Sequence, residues 1–338
     1  MWPSYKSIAL LGAASLISAT FSGSLSAQVV TTEAGTVVLY TSNNAQSVDA
    51  VKEVAKKLMP NVKINVITGG SGQLLKRMET EAAKPQADIF WSSTANVLGA
   101  FQPLYEPYKS PRATAIPAAL NHPANLWTAS NTHIVVAMVN TSRLAGAPMP
   151  QTWADLTAPA FKGKIIIADP ENSSTAYSAL WLIEQVLGAE GLKKIAANTT
   201  VTSAASNVVR SVGQGEYAVG LTFESTAFAY VAGGQAEIKI MYPKDGSSVT
   251  TDNLVLVKGA PAGNLAKKFY DLLVSQEAQI ALLEAGFRRP SRSDIELKKY
   301  VEMPALSTIK VVAIDETKAA AERTVFLAKW KGLVAASR

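Results

Sequence analysis

Five times in this chain a short β-branched or aromatic run breaks off at a cluster of Ser, Thr, Asn or Gly, and an apolar-periodic segment follows. The clearest copy runs from Lys164 to Tyr177. Lys164 to Ala168 is too short for a helix and reads as a buried strand. Asp169-Pro170 stops it, and Asn172, Ser173, Ser174 and Thr175 introduce a helix from Tyr177 to Leu187 that Gly188 closes. Such a unit aims the unpaired N–H groups of a helix N-terminus, with several hydroxyls, at whatever lies above the carboxyl end of the strand. That place suits anions, because the first amides lack partners and the helix dipole adds partial positive charge. A single turn of this kind is most simply a helix cap. Its recurrence is what constrains the fold, since strands alternating with helices build doubly wound sheets that bind ligands at the strands' carboxyl ends.

The other copies follow the same grammar. Thr36–Tyr40 is a strand, Thr41-Ser42-Asn43-Asn44 its turn, and Val48, Val51, Val54, Ala55 and Leu58 mark a helix that ends at Pro60. Asn61 to Thr68 leads through Gly69-Gly70-Ser71-Gly72 into a helix carrying Leu74, Leu75 and Met78. Ala87 to Trp91 leads through Ser92-Ser93-Thr94 to Val97 and Leu98. Tyr217 to Thr222 leads through Phe223-Glu224-Ser225-Thr226 into a helix over 227–232. Trp127 to Asn140 reads as one long strand or a strand pair crossing from a first lobe into a second, and 238–243 with 253–257 bring the chain back. The expected organisation is a first lobe from residues 28–132 and 245–338 and a second from 133–244, a length that favours two domains over one. If the two sheets face each other across that hinge, all five turns meet in one cleft, the usual position of a small-molecule site.

Residues 1–27 are predicted to be an export signal. Lys6 supplies positive charge, Ile8 to Phe21 an apolar core, and Ser22 to Ala27 a small-residue cleavage region. No later stretch has the ~18 apolar residues of a membrane span. The chain has no cysteine, which excludes disulfides, thiolate metal sites, Cys nucleophiles and a lipid-bearing N-terminal Cys, and suits an exported, periplasmic, soluble protein. The formal charge of +6 is dispersed, and only Arg288-Arg289 with Arg292 clusters, so nucleic acid is not an expected partner.

The chain resembles the solute-binding proteins of ABC importers, in the two-domain class that includes ferric-ion, thiamine, 2-aminoethylphosphonate and sugar-phosphate binders. The resemblance rests on Val38 to Ser42, Ala87 to Ser93, Trp153-Ala154-Asp155-Leu156 leading to Phe161-Lys162-Gly163-Lys164-Ile165, Gly215 to Leu221, and Gly286-Phe287-Arg288-Arg289-Pro290. It implies a two-lobed α/β periplasmic-binding fold of type II, each lobe a mixed, mostly parallel sheet flanked by helices, joined by a two-crossing hinge. It also implies closure over the ligand and delivery to a membrane permease by a monomer without a cofactor. Ferric binders of the class carry adjacent tyrosines about where this chain reads Phe223 to Tyr230 with a single Tyr, and two histidines without cysteine leave a protein-built metal site short of ligands. A thiamine ring would need an aromatic sandwich, for which Trp91, Tyr177 and Phe223 are available.

An anionic phosphonate or organophosphate fits better. The candidate ligand-binding residues are Ser42, Asn43, Asn44, Ser71, Gly72, Ser92, Ser93, Thr94, His133, Ser173, Ser174, Thr175, Glu224, Ser225 and Arg289. In this reading Arg289 clamps the anion bidentately, Glu224 accepts from an ammonium or from sugar hydroxyls, and His133 adds a contact beside the hinge. Iron is the alternative cargo, and an exported hydrolase is the rival class. Ser307-Thr308-Ile309-Lys310 has Ser-x-x-Lys spacing but lacks its companion motifs, Gly70-Ser71-Gly72 is not a Gly-x-Ser-x-Gly elbow, and Gly69 to Gly72 is not a phosphate loop of the Walker type.

Overall fold

A computed structural model describes residues 31–337; the predicted export signal lies outside the described residues. In chain order the elements are β1 (Gly35–Thr41), α1 (Ala45–Leu58), β2 (Val62–Thr68), α2 (Ser71–Thr80), β3 (Ile89–Trp91), α3 (Ala95–Leu98), β4 (Tyr105–Glu106), β5 (Thr128–Asn140), β6 (Ile165–Ala168), α4 (Ser174–Asn198), β7 (Thr199–Thr202), α5 (Ala205–Gly213), β8 (Val219–Phe223), α6 (Glu224–Ala232), β9 (Ile238–Met241), β10 (Val249–Val257), α7 (Asn264–Leu273), α8 (Gln276–Gly286), β11 (Arg289–Pro290), α9 (Glu316–Ala321) and α10 (Arg323–Ala336).

The strands run in the order β2-β1-β3-β10-β5-β8-β6-β7. Strands that lead into helices are the parallel ones: β1 with β2 and β3, and β6 with β7 and β8. The antiparallel neighbours gather around β5 and β10, the strands that carry the chain between lobes. β5 is a single strand of 13 residues that belongs to both sheets. Up to Ile134 it pairs with β10, and from Val135 it pairs with β8. Its burial, broken only at Thr132, explains why the sequence shows no alternation there: both faces are covered along nearly its whole length.

In β1, period 2 sends Val37 and Leu39 into one core and Tyr40 into the other. α1 buries Val48, Val51, Ala55 and Leu58 as a single stripe, with Lys56 and Lys57 in its last turn complementing the dipole. Gly188 interrupts α4 at φ 70°, a left-handed conformation that glycine adopts without the steric cost of a Cβ, so the helix end read from the sequence appears as a break between two helical stretches.

The C-terminal helices touch both lobes. α9 packs on α3, and α10 lays Phe326 between Tyr177 and Trp181 of α4. The Tyr177 hydroxyl donates to the carbonyl of Ala319. At the start of α9, Glu316 accepts from Thr250 Oγ1 at 3.1 Å. Burial pushes the Glu316 carboxyl from its ordinary 4.5 up to about 7, against the pull of hydrogen bonds from Thr250 and Asn96. The folded chain therefore holds this proton more tightly than the unfolded one. Its contribution to stability is complete below pH 4.5 and is lost as pH rises through 7, about 3 kcal/mol in all. Glu316→Gln is expected to unfold in urea like the parent at pH 4.5 and to be the more stable chain at pH 8, by up to about 3 kcal/mol.

Candidate functional site

Between the lobes lies a cavity of about 840 Å³. Five residues of its wall, Asn44, Gly70, Ser173, Ala204 and Phe223, are the N-caps of α1, α2, α4, α5 and α6. Asn44 and Ser173 accept from amides of their own first turns, Ser47 at 3.0 Å and Ala176 at 3.3 Å. Gly70, Ala204 and Phe223 offer no capping side chain. Five positive dipole ends thus surround one space, with the first-turn amides that caps and lobe contacts leave free.

Of the sequence-predicted residues, Ser42, Asn43, Asn44, Ser71, Ser92, His133, Ser173, Ser174 and Thr175 line the cavity. Ser92 does so at φ 107°, a conformation rare for a residue with a side chain, of the kind that surrounding structure must impose. Its Oγ lies 2.6 Å from Ser42 Oγ, and its N–H donates to the carbonyl of Asn253. The other six are placed differently. Gly72 meets the opposite lobe, its N–H donating to Asn172 O at 3.3 Å. The Ser93 carbonyl accepts from the backbone and side-chain nitrogens of Asn253. Thr94 Oγ1 is buried 2.5 Å from Asn96 Oδ1. Ser225 is buried in the first turn of α6, off the cavity wall.

Glu224 and Arg289 correct the expectation most. They bond each other: Arg289 Nε and Nη2 donate to the two Glu224 oxygens at 2.5 and 2.8 Å, and both side chains are buried. The Tyr242 hydroxyl donates to Glu224 at 2.6 Å, and Arg289 Nη2 also reaches Pro304 O. Arg289 thus spends its donors on Glu224 and Pro304, off the cavity wall, and Glu224 already has a cation.

The arginine on the cavity wall is its neighbour Arg288. Arg288 is buried, its Nη1 donating to Asp252 Oδ2 at 3.1 Å and its Nε to Ser47 Oγ at 2.8 Å. Asp252 also lines the cavity, so the two formal charges of the wall cancel. His133 stacks on Phe223, ring centroids 4.3 Å apart at 7°. Burial, chiefly, pulls its pKa below the ordinary value, which leaves the ring neutral at pH 7. Sequence reasoning missed Ser203 to Ser206 altogether. The signal was the β-branched run Thr199 to Thr202, which is β7, a sixth strand–turn–helix unit whose helix is α5.

The lobes touch beside the cavity. Ser174 N–H donates to Ser71 Oγ at 3.0 Å, and Lys76 pairs with Glu171 at 2.5 Å. The arrangement is a cleft between the lobes, bridged at one side by these contacts. Ser307 and Lys310, by contrast, are exposed and outside the cavity wall.

Residues 84–321 match the family model described as bacterial extracellular solute-binding protein. The chain belongs to that family. This solute-binding protein is similar to AfuA, a periplasmic binding protein of Actinobacillus pleuropneumoniae solved with exogenous fructose-6-phosphate bound, at TM-score 0.80 and 28% identity over 89% of this chain and 99% of that one. Iron uptake protein A1 of Synechocystis is 25% identical over 268 residues, 71% of each chain. A putative 2-aminoethylphosphonate-binding periplasmic protein of Salmonella typhi is 25% identical over 257 residues, 69% of this solute-binding protein and 71% of its relative. The fold shared with AfuA is the two-lobed periplasmic-binding one. Among the described residues no helix is long and apolar enough to cross a membrane.

Proposed function

We propose that this protein is the periplasmic receptor of an ABC importer and captures a small organophosphate or phosphonate by lobe closure, delivering it to the membrane permease. The observation that carries the reading is the convergence of five helix N-caps on one cavity whose formal charges cancel. Amides and dipole ends then supply the attraction for an anion, each charge-assisted bond contributing about 1.5–3 kcal/mol. Asp252 and Glu224 each carry an arginine partner, so an ammonium group finds no free carboxylate in either. That favours a hydroxylated phosphate ester over 2-aminoethylphosphonate, with Gln46, Gln73 and Gln235 on the wall as partners for hydroxyls. Iron has less support: Tyr230 is the single tyrosine of the cavity wall, and among the described residues no three His, Cys, Asp or Glu gather closely enough for a metal. A hydrolase has less still, with the Ser-x-x-Lys pair out on the surface.

A thermal-shift series tests this. Fructose 6-phosphate, glycerol phosphate, 2-aminoethylphosphonate, fructose and ferric citrate are added at 100-fold over an expected micromolar Kd. A phosphate ester that binds the folded chain alone adds about 2.7 kcal/mol, read as a rise of several degrees in Tm. The rise is expected with the phosphate esters, without turnover of the ligand, and not with fructose. A rise with ferric citrate alone contradicts the reading.

A further inference from the structure

Two side-chain nitrogens on the cavity wall are buried with no partner, Asn43 Nδ2 and His133 Nδ1. Their residues are only 6% and 5% exposed. The other ring nitrogen of His133 is engaged: Nε2 lies 3.2 Å from Asn131 Nδ2 and 3.4 Å from Arg288 Nη1. A guanidinium has hydrogens to give and no lone pair to offer. The Asn131 amide also faces Nε2, with its Oδ1 3.1 Å from Ser130 Oγ, whose one proton has the carbonyl of Asp252 as a second acceptor at 2.9 Å. The Arg288 hydrogen requires Nε2 to accept, the Asn131 NH₂ then completes the contact, and a neutral imidazole that accepts at Nε2 carries its proton on Nδ1.

The charged groups around the ring favour the neutral form. Arg288 opposes a positive imidazole, and burial opposes it more; Asp252, 3.9 Å from Nε2, and Glu224 act in the other direction, but each is paired with an arginine. Phe223 covers one face of the ring. Arg288 gives Nε to Ser47 and Nη1 to Asp252 and His133, which leaves Nη2 as the part of the guanidinium available to the cavity.

We propose that Arg288 and Asn131 lock His133 in the Nδ1–H tautomer, and that this N–H, with the Asn43 amide, donates to the anionic oxygens of the ligand. The second half rests on the organophosphate reading above; the first does not. Through Nη1, Arg288 thus positions His133, which serves as a neutral donor to the oxyanion. The Nδ1–H form is the less common tautomer of the free histidine side chain, so its presence is diagnostic.

The chain has two histidines, which makes the test simple. Nitrogen-15 spectra of histidine-labelled protein at pH 7, assigned with a His122→Gln variant, are expected to show His133 protonated at Nδ1 and bare at Nε2 before any ligand is added. Fructose 6-phosphate is expected to move the Nδ1 resonance and leave Nε2 in place. In calorimetry with the same probe, His133→Asn, whose amide nitrogen stands where Nδ1 stood, keeps most of the affinity. His133→Gln, whose amide extends toward Nε2, loses roughly 10- to 100-fold. An Nε2-protonated or doubly protonated His133 in the free protein overturns the lock, and equal losses in the Asn and Gln variants overturn the donor role. A parent chain that shows the Nδ1–H tautomer but binds neither fructose 6-phosphate nor 2-aminoethylphosphonate overturns the ligand reading and not the lock.

Discussion

Gly72→Ala is expected to weaken ligand binding roughly 10- to 100-fold while leaving the unliganded chain as stable as before or slightly more so. A Cβ at this position would stand 2.0 Å from the carbonyl oxygen of Glu171 and 3.2 Å from Cα of Asn172. Those atoms are backbone of the opposite lobe, so no side chain can swing aside, and overpacking of this kind costs about 1–3 kcal/mol. The cost falls on the closed state alone. Within α2, Gly72 sits in ordinary helical conformation, where alanine is the better helix former by about 1 kcal/mol. Closure also forms the Ser71–Ser174 bond and the Lys76–Glu171 pair, which the variant would hold apart. Apparent affinity falls with the fraction of chains able to close. Calorimetry with fructose 6-phosphate, beside small-angle scattering for closure, reads both. Unchanged affinity would mean that the lobes bind ligand without meeting at α2.

The second large effect is on stability. Arg289→Ala leaves the buried Glu224 carboxylate with Tyr242 but without its cation, and Glu224→Ala leaves a buried guanidinium with only the carbonyl of Pro304. Breaking a buried pair from one side costs about 3–5 kcal/mol, because a desolvated charge is left uncompensated, whereas replacing both partners by groups of similar shape is far milder. Each single variant is expected to lower the urea midpoint sharply, and Glu224→Gln with Arg289→Met to recover most of it. If Arg289→Met instead unfolds like the parent and loses the ligand, the guanidinium contacts the anion after all and the pairing is secondary.

These two predictions mark where the sequence could and could not be read. The strand–turn–helix units were legible because each is local: Ile165 to Ala168 needs no distant contact to be recognised as a buried strand, and Ser173 no more than its place before an apolar-periodic run. Nine of the fifteen predicted site residues line the cavity, eight of them from such turns (Ser42, Asn43, Asn44, Ser71, Ser92, Ser173, Ser174 and Thr175) and His133 from within β5. The choice between Arg288 and Arg289 was not local. Neighbouring side chains of extended backbone point to opposite sides, and only the pairing of β11 with β5 decides which of the two faces the cavity. Glu224 followed the same logic, since its partner lies 65 residues away in the chain. Ser93 and Thr94 carry the right chemistry in the right kind of turn, but α3 packs against α4 so closely that Thr94 bonds Asn96 and Ser178 beneath the cavity. β7 was missed because Thr199 to Thr202 is short and polar enough to pass for a loop.

The most direct test is a crystal structure of the chain grown with fructose 6-phosphate. The phosphate is expected between the lobes, its oxygens within hydrogen-bond distance of first-turn amides of at least two of α1, α2, α4, α5 and α6 and of His133 Nδ1. Electron density that puts the phosphate at the outer mouth, with the sugar on the helix N-termini, would contradict it.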